Sequence, residues 1–375
     1  MNNMINMITT KKAAEILGVS TSTIYRMVEK SILTPSKTPG GQRRFSIEQL
    51  LEFKEKSKQI DAPQNPSRFD DVQSSKVIKK IKKEKKSVYD HRNKLNDLTG
   101  SEWLPSTKSY FYQKGLGAKH PHAQIERQHP APYSFQDIQH LITFFTKRNQ
   151  SVLDPFGGIG STAKACALEG RICTSIELSS KWCNLAIERL EYEVGGGISQ
   201  NHSFINGDSV EELIKLENDT YDFMVTSPPY WSILNKKADH KVTKERVNNN
   251  LATNYSDGDE KDLANINDYE TFLDILTKKV FLECGRVLKP KAYMCLIVSD
   301  FRNKSEYISF HSDLIQKLNK AKLPNGYSFQ LQGTKILLQN HKSLLPYGYP
   351  FAYVENIHHQ YVLIFRKEVQ EKVKK

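Results

Sequence analysis

The stretch Ser151-Val152-Leu153-Asp154-Pro155-Phe156-Gly157-Gly158-Ile159-Gly160-Ser161-Thr162 carries the strongest fold signal in this sequence. A short apolar run ends at an aspartate, a glycine-rich turn follows, and a helix-period segment begins at Ser161. Glycines let a backbone turn sharply and approach a ligand closely, although a dinucleotide site or a plain tight turn has a similar pattern. The aspartate favours a ligand with an ammonium or sulfonium group, and the Lys-Ser/Thr pair of a phosphate loop is missing from the stretch.

Short apolar runs typical of strands alternate with helix-period segments on either side of this turn. The alternation predicts an α/β fold with a Rossmann-like parallel sheet and helices on both faces. The last apolar run follows a turn-rich stretch without a helix, so we expect it to be an antiparallel strand. The predicted strands are 151–154, 173–177, 203–206, 222–226, 293–298 and 360–365, and the predicted helices are 161–170, 181–192, 209–217 and 268–288.

Acidic residues stand at the ends of three successive predicted strands. Asp154 ends the first, Glu177 ends the second and Asp208 follows the third. Glu177 is suited to accept hydrogen bonds from ribose hydroxyls, and Asp208 from an adenine amino group. Each acid alone is more typical of a helix cap. Together they predict a binding crevice at the switch point of the sheet, with all three acids in contact with the ligand.

The fourth predicted strand leads into Ser227-Pro228-Pro229-Tyr230. Consecutive prolines fix φ and remove two backbone donors, so the chain leaves the sheet in a rigid extended form. The Ser227 hydroxyl and the Pro228 carbonyl then converge on one point, where they can accept hydrogen bonds from an NH₂ group. Tyr230 offers a flat face for stacking. These four residues are the predicted catalytic group.

Residues 1–56 have the pattern of a small winged helix-turn-helix domain. Thr10 is the predicted cap of a helix over Lys11–Leu17, and Gly18 supplies the turn to a second helix. A Pro-Gly-Gly turn then forms the predicted wing. A small protein-interaction domain is the alternative. The predicted DNA contacts are Ser22, Thr23, Tyr25 and Arg26 on the second helix and Arg43 and Arg44 on the wing.

Charge is unevenly distributed along the 375 residues. The net charge is +12, and nine of these positive charges fall within the first hundred residues. Residues 57–90 form a predicted basic linker, with seven lysines between positions 76 and 86, ahead of a catalytic domain over 91–375. This distribution suggests a polyanionic partner, although a solvated surface explains charge alone equally well.

Several classes of protein are disfavoured by composition. No apolar run approaches the length of a membrane span, and no cationic start precedes an apolar run as in a secretory signal. The five cysteines are odd in number and form no CxxC pair, which argues against a disulfide framework and against a zinc site. We therefore expect a cytoplasmic protein without a metal centre.

The segment from Leu95 to Arg366 resembles the amino-methyltransferases that make N4-methylcytosine or N6-methyladenine in DNA. The family's cofactor motif looks like Asp154–Gly160 and its catalytic motif like Ser227–Tyr230. His129-Pro130-Ala131-Pro132-Tyr133 is similar to the segment on the methionine side of the family's cofactor, and residues 96–103 are similar to a stretch that often precedes it. Residues 9–53 resemble the MerR and excisionase helix-turn-helix families.

This resemblance implies S-adenosylmethionine as the cofactor, double-stranded DNA as the partner and a target base flipped out of the duplex. The serine at the start of the catalytic motif favours cytosine N4 over adenine N6, and both remain open. The implied cofactor-binding residues are Asp154, Phe156, Gly157, Gly158, Gly160, Ser161, Thr162, Glu177, Asp208, His129 and Pro130.

Other functions remain open at this point. An inactive methyltransferase fold that regulates transcription, and a methyltransferase acting on tRNA or on protein glutamine, share parts of the pattern. Only 66 positions separate Gly160 from Thr226, so target recognition falls to 231–267, 299–350 or the N-terminal domain. A cognate restriction endonuclease and the oligomeric state are not indicated by the sequence.

Overall fold

The chain divides into two compact units, Met1–Lys83 and Glu84–Lys375. The computed structural model describes residues 7–17, 24, 27–28, 33–37, 43–50, 89–114, 120–130, 132–231, 252, 259–319 and 321–370. The basic run at 76–86 lies outside the described residues, as does most of the predicted linker.

The first unit combines a short helix with a small antiparallel sheet. Strand β1 (Met7–Thr9) leads into helix α1 (Thr10–Leu17), and strands β2 (Ser36–Lys37) and β3 (Arg43–Ser46) follow. The strand order is β1-β3-β2. A core beneath the sheet consists of Ala13, Ala14, Ile24, Leu33, Phe45 and Leu50, all buried.

Helix α1 begins one residue earlier than expected. The hydroxyl of Thr9 accepts a hydrogen bond from the backbone N–H of Lys12 at 3.3 Å. Thr9 thus provides the side-chain oxygen that satisfies an otherwise unpaired N–H in the first turn. The prediction that Thr10 caps this helix was wrong, because Thr10 already belongs to the first turn.

The predicted DNA contacts of this unit are only partly described. Ile24, Met27 and Val28 have helical backbone. Arg43 and Arg44 lie on β3 and are half-buried, opposite Lys37 and Ser36. The wing turn and the four predicted helix contacts, Ser22, Thr23, Tyr25 and Arg26, lie outside the described residues, so the helix-turn-helix and the wing stay predictions.

The second unit is built on an eight-stranded sheet. Its strands are β4 (Tyr110–Tyr112), β5 (Ser151–Asp154), β6 (Ile172–Glu177), β7 (Ser203–Asn206), β8 (Tyr221–Thr226), β9 (Leu288–Val298), β12 (Tyr327–Leu338) and β13 (His359–Val369), with a separate hairpin of β10 (Phe301–Asn303) and β11 (Glu306–Ile308). The order is β4-β12-β13-β9-β8-β5-β6-β7. Strands β5 to β9 are mutually parallel, and β13 runs antiparallel to both β9 and β12.

Helices connect most of these strands. They are α2 (Gly100–Ser106), α3 (Pro121–Glu126), α4 (Phe135–Phe145), α5 (Ser161–Glu169), α6 (Ser180–Glu193), α7 (Ser209–Glu212), α8 (Tyr269–Ile275), α9 (Leu282–Val287) and α10 (Phe310–Asn319). A π-helical segment, Leu276–Phe281, joins α8 to α9. Short 3-10 turns occupy Ile198–Asn201, Leu213–Lys215, Leu263–Asn265 and Pro324–Gly326.

The two faces of the sheet carry separate hydrophobic cores. Side chains alternate along a strand, so Phe223 and Val225 of β8 enter one core and Met224 enters the other. Helices α4 and α5 cover the face of Phe223. Helices α8, α9 and α10 cover the face of Met224. The predicted helices on both faces and the predicted antiparallel last strand are therefore confirmed.

Strand β12 is the largest element that the sequence did not predict. Its residues alternate between buried and exposed, and polar side chains such as Gln330 and Thr334 interrupt its apolar ones. A register shift between Leu331 and Gly333 interrupts its pairing with β13. The strand is recognisable mainly by its pairing with β13, which a sequence pattern does not contain.

The order of the parallel strands positions a crevice. From β5 the chain continues to β6 and β7 on one side, and returns to β8 and β9 on the other. In open α/β sheets, ligands bind outside the carboxyl ends of the strands at such a switch point. Asp154, at the end of β5, and Thr226, at the end of β8, lie at this point. Among the described residues, no helix combines the length and the apolar character needed to cross a membrane.

Candidate active site

A single buried carboxylate, that of Asp154, joins four parts of the crevice. Its Oδ2 accepts hydrogen bonds from the hydroxyls of Tyr133 and Thr162, both at 2.5 Å. Its Oδ1 accepts from the Thr226 hydroxyl at 2.6 Å and from the Phe156 backbone N–H at 3.1 Å. The residue has no solvent-exposed surface. We expected Asp154 to contact the ligand, but the structure surrounds it with donors of the protein, so it holds the crevice walls together.

The glycine-rich turn packs closely against β6 and α6. A Cβ atom on Gly157 would overlap the Ser175 hydroxyl of β6. Gly160 has a φ of +72°, and a Cβ there would stand 2.9 Å from Cβ of Ala186 on α6. Any larger side chain at either position would push the turn away from β6 or α6. The turn therefore needs glycine at these two positions.

A buried cluster of charges fixes the start of α5. The Arg189 guanidinium donates to the carbonyl of Ile159 at 3.2 Å and to the Ser161 hydroxyl at 3.1 Å. Glu193 pairs with Arg189 at 2.9 Å and with Lys164 at 2.6 Å. Because a buried charge without a partner is strongly unfavourable, these pairs couple the turn to α6.

Glu177 faces the crevice at the end of β6. Its Oε2 accepts a hydrogen bond from the backbone N–H of Gly158 at 2.8 Å, and its Oε1 accepts from that of Ser179 at 2.9 Å. Burial raises the pKa of Glu177 to about 7. The carboxylate is therefore held in place by backbone groups and changes charge near neutral pH.

Asp208 lies at the end of β7 and also caps a helix. Its Oδ1 accepts a hydrogen bond from the backbone N–H of Val210 at 3.0 Å, at the start of α7. Burial raises the pKa of the Asp208 carboxyl. The next residue, Ser209, donates its hydroxyl to the carbonyl of Pro155. Asp208 is thus both a helix cap and part of the crevice wall, so the two interpretations of this acid from the sequence are compatible.

The crevice unites most of the residues that the sequence singled out. The predicted residues that line it are His129, Phe156, Gly157, Gly158, Ser161, Glu177, Asp208, Ser227, Pro228, Pro229 and Tyr230. Four predicted residues, Pro130, Asp154, Gly160 and Thr162, are not among the lining residues. The lining also contains Pro132, Tyr133, Pro155, Ile159, Ile176, Leu178, Ser209, Lys261, Asp262 and Leu263.

The segment around His129 closes one side of the crevice. His129 is buried, and its ring meets that of Trp182 edge-on, with 5.1 Å between the ring centroids. Its imidazole is also the group nearest to Gly158. Tyr133, four residues further, reaches Asp154. This bond attaches the segment to the sheet, and the sequence contained no signal for it beyond the position of a tyrosine.

The predicted catalytic motif leaves the sheet directly after Thr226. Pro228 is buried, and Ser227, Pro229 and Tyr230 are half-buried. The Tyr230 hydroxyl accepts a hydrogen bond from the Gln360 amide at 3.2 Å. The ring meets Phe301 and Phe310 at centroid distances of 6.5 and 6.2 Å. The Tyr230 side chain is therefore held by a hydrogen bond at its hydroxyl and by aromatic contacts along its ring.

An acid–imidazole pair beside this motif was missed in the sequence. Asp300 follows β9, and its carboxylate lies 2.7 Å from Nδ1 of His311. Tyr307 donates its hydroxyl to the same carboxylate at 3.0 Å. The His311 ring stacks on Tyr361 with 3.7 Å between centroids. The rule that singled out Asp154 and Glu177, an acid at a strand end, would also have found Asp300.

Comparison with known proteins gives a family match for the first half of this chain. A family model described as DNA methylase matches residues 2–188. Over these residues the chain is similar to the DNA methylases. The matched residues include the glycine-rich turn and Glu177, and they end before Ser227.

Curated relatives match over shorter segments. The orphan methyltransferase M.BamHII of Bacillus amyloliquefaciens is 37% identical over 68 residues, which are 18% of this chain and 26% of that protein. The putative methylase YubD of Escherichia coli is 41% identical over 64 residues, 17% of this chain and 28% of that protein. The chain thus spans little more than a quarter of the length of these relatives.

Solved structures with some similarity include methyltransferases. TrmN from Thermus thermophilus is 17% identical with a TM-score of 0.35, over 62% of this chain and 48% of that chain. A putative DNA modification methylase, also from Thermus thermophilus, is 23% identical with a TM-score of 0.28, over 45% of this chain and 54% of that chain.

The acceptors in the crevice fit a nucleoside that carries an amino acid chain. Glu177 and Asp208 both line the crevice, and their predicted roles are to accept hydrogen bonds from ribose hydroxyls and from an adenine amino group. The turn at Phe156–Gly158 and the ring of His129 line the same crevice, and their predicted neighbour is the methionine portion. The family match and this set of groups indicate S-adenosylmethionine as the cofactor.

The Asp154→Ala variant tests the coupling role of the buried carboxylate. Four donors would lose their acceptor, and an unsatisfied buried polar group costs about 1–3 kcal/mol. We expect a lower free energy of unfolding, and weaker affinity for S-adenosylmethionine in calorimetry of the folded protein, because the crevice walls are no longer joined. Tyr133→Phe removes one donor and leaves the carboxylate, so its loss of affinity should be smaller. Unchanged affinity in folded Asp154→Ala protein would contradict the role.

The pH dependence of cofactor affinity tests Glu177. Below its pKa of about 7 the carboxylate becomes protonated and accepts ribose hydrogen bonds less well. Binding therefore favours the ionised form, and affinity should fall below about pH 7 by up to about tenfold per pH unit. Calorimetry from about pH 6 to about pH 8.5 measures this. The Glu177→Gln variant retains the titration of the cofactor itself and should lack the fall, so identical profiles would exclude Glu177.

Proposed function

We propose that this protein is a DNA methyltransferase that transfers a methyl group from S-adenosylmethionine to the exocyclic amine of a flipped base. One observation carries the proposal: the cofactor wall and the Ser227–Tyr230 motif line the same crevice. The DNA methylase match of residues 2–188 supports the choice of DNA as the substrate.

The chemistry explains the need for two acceptors beside the amine. The lone pair of an exocyclic amine is delocalised into the base, which makes the nitrogen a poor nucleophile. The Ser227 hydroxyl and the Pro228 carbonyl would accept hydrogen bonds from the NH₂ group and localise this lone pair. They would also stabilise the positive charge that develops on the nitrogen.

The cofactor supplies an electrophilic methyl group on a sulfonium sulfur. This methyl carbon would bond to the nitrogen lone pair as the carbon–sulfur electron pair moves to sulfur, and the cationic amine would then lose one proton to water. Asp208 and Glu177 would hold the nucleoside in the crevice that Ser227 also lines.

Tyr230 would receive the flipped base. A base taken out of the duplex loses its stacking partners, and an aromatic side chain compensates for part of this loss. The bond from Gln360 and the contacts with Phe301 and Phe310 hold the ring before substrate arrives. We favour cytosine N4 as the target because the motif begins with serine, with adenine N6 as the second candidate.

Methyl transfer in Ser227→Ala and Tyr230→Ala tests the catalytic group. Loss of one positioned acceptor typically costs about 10²-fold in rate, so Ser227→Ala should methylate about 10²-fold more slowly while cofactor affinity is retained. Tyr230→Ala should also be sharply slower. Labelled cofactor is offered with duplex DNA, tRNA or protein, and nucleoside mass spectrometry identifies the product.

N4-methylcytosine is the expected product, and N6-methyladenine would keep the mechanism with a different target. A control variant, Tyr192→Ala, alters an exposed tyrosine on α6 and should have wild-type activity. Transfer to tRNA or protein alone would overturn the proposed substrate. Finding 5-methylcytosine would overturn the mechanism, since carbon methylation needs a cysteine nucleophile and all five cysteines are buried.

We further propose that the N-terminal unit binds duplex DNA. Its support is the sequence pattern of residues 9–53, together with a sheet in which β3 carries Arg43 and Arg44. Each phosphate neutralised by a cation releases counterions, so affinity falls with salt in proportion to the number of contacts. The rest of the chain is nearly neutral and would bind DNA weakly by itself.

The salt dependence of DNA binding tests this unit. In an Arg43→Ala/Arg44→Ala variant, the slope of log affinity against log salt should become shallower by up to about 2, with weaker binding at every salt concentration. Fluorescence anisotropy with a labelled duplex measures both quantities. Lys278→Ala, an exposed lysine of the second unit, is the matched control and should leave the slope unchanged. An unchanged slope in the arginine variant would assign this unit to another partner.

A further inference from the structure

The loop between β12 and β13, residues 339–358, emerges at the same edge of the sheet as the catalytic motif. Strand β13 is antiparallel to β9, so Tyr361 near its start lies opposite Val298 at the end of β9. Strand β9 is parallel to β8, which leads into Ser227. Gln360 contacts Tyr230 directly. We call residues 339–358 the β12–β13 loop.

This loop exposes large apolar side chains. Tyr349 is 80% exposed, Phe351 93% and Tyr353 84%, and Leu344 is 77% exposed. Single exposed apolar residues are common, but a group of them within ten positions is typical of a binding surface. Phe351 has the largest exposed fraction among the large apolar side chains that the structure describes.

The loop is nevertheless ordered by its own hydrogen bonds. The Gly348 carbonyl accepts the N–H groups of Phe351 and Ala352, both at 2.7 Å. The Asn356 side chain bonds both the N–H and the carbonyl of Leu345, at 2.9 and 2.8 Å. A hydrogen-bonded turn therefore directs the aromatic rings outward. A binding surface formed in advance loses less conformational entropy when its partner arrives.

We propose that the β12–β13 loop inserts its aromatic rings among the bases of the DNA from which the target base is extruded. This inference rests on the proposed function. Extrusion of one base leaves a gap in the duplex, in which its neighbours and its former pairing partner lack stacking contacts. This gap would lie at the edge of the sheet where the base enters the crevice.

Flat aromatic rings suit that gap because every base has a π-face, so stacking needs no particular sequence. Apolar side chains inserted between base steps are a known way to stabilise distorted DNA. Within residues 339–358 the formal charges of Lys342 and Glu355 cancel, so the loop has no net negative charge that would repel DNA. A protein partner and a second copy of this chain are the other occupants that the test must separate.

Photocrosslinking of the full chain to DNA tests the proposal. A duplex of mixed sequence with 5-iodouracil in place of thymine is irradiated in the complex, which joins stacked aromatic side chains to the base. After trypsin digestion, the crosslinked peptide should be residues 343–366, because cleavage follows Lys342 and Arg366. A Tyr349→Ala/Phe351→Ala/Tyr353→Ala variant should lose this crosslink and bind the duplex about tenfold more weakly for each ring that stacks.

Controls separate this loss from damage elsewhere. The triple variant should keep its circular dichroism spectrum and its affinity for S-adenosylmethionine, because none of the three residues lines the crevice. Tyr192→Ala removes a tyrosine that is 73% exposed near the end of α6, and it should crosslink like the wild type.

Three results would overturn the inference. The first is a crosslink confined to other peptides, and the second is unchanged duplex affinity in a folded triple variant. The third is a wild-type dimer in sedimentation velocity that the triple variant converts to a monomer without any loss of DNA affinity, since a second copy would then cover the loop. Failure of the proposed function is distinguishable, because it leaves DNA unmethylated whether or not the loop crosslinks.

Discussion

The carboxylate of Asp154 is the interaction on which the crevice depends. It accepts hydrogen bonds from the glycine-rich turn, the start of α5, the end of β8 and the segment that contains His129. The turn and the start of α5 adjoin Asp154 in sequence, whereas Tyr133 and Thr226 lie 21 and 72 residues away, and each part contributes a wall or a support of the site. A buried carboxylate is unfavourable unless it is fully hydrogen-bonded. Displacing any one of the four donors would therefore destabilise the folded protein.

Close packing transmits this constraint to the rest of the cofactor wall. Gly157 touches β6 and Gly160 touches α6 at distances that no other residue allows. Arg189 then ties the same turn to a buried group of charges. Glu177 and Asp208 are placed by backbone N–H groups of the adjoining turns. The site is therefore rigid where a nucleoside must be oriented, and its acids gain their raised pKa values from the same burial.

One edge of the sheet brings together what the proposed reaction needs. The carboxyl ends of β6 and β7 carry the acids proposed to bind the cofactor, β5 carries the buried Asp154, and the end of β8 carries the two proposed acceptors for the amine. The antiparallel strand β13 adds Gln360 to the same edge, where it fixes Tyr230. The reversal of β13 also returns the aromatic β12–β13 loop to this edge, so that DNA bound there would meet the loop and the crevice at once.

The sequence by itself determined the alternating strands and helices, the three strand-end acids and the Ser227–Tyr230 motif, because these depend on local periodicity and on residue types at short spacing. Only the tertiary structure decided what each acid faces. Asp154 and Glu177 both stand at the end of a predicted strand. In the structure, four protein donors surround Asp154, whereas Glu177 lines the crevice. Strand β12, the Tyr133 bond and the Asp300–His311 pair were likewise decided by long-range contacts. A local pattern specifies which element a residue joins, whereas its partners depend on how distant elements pack.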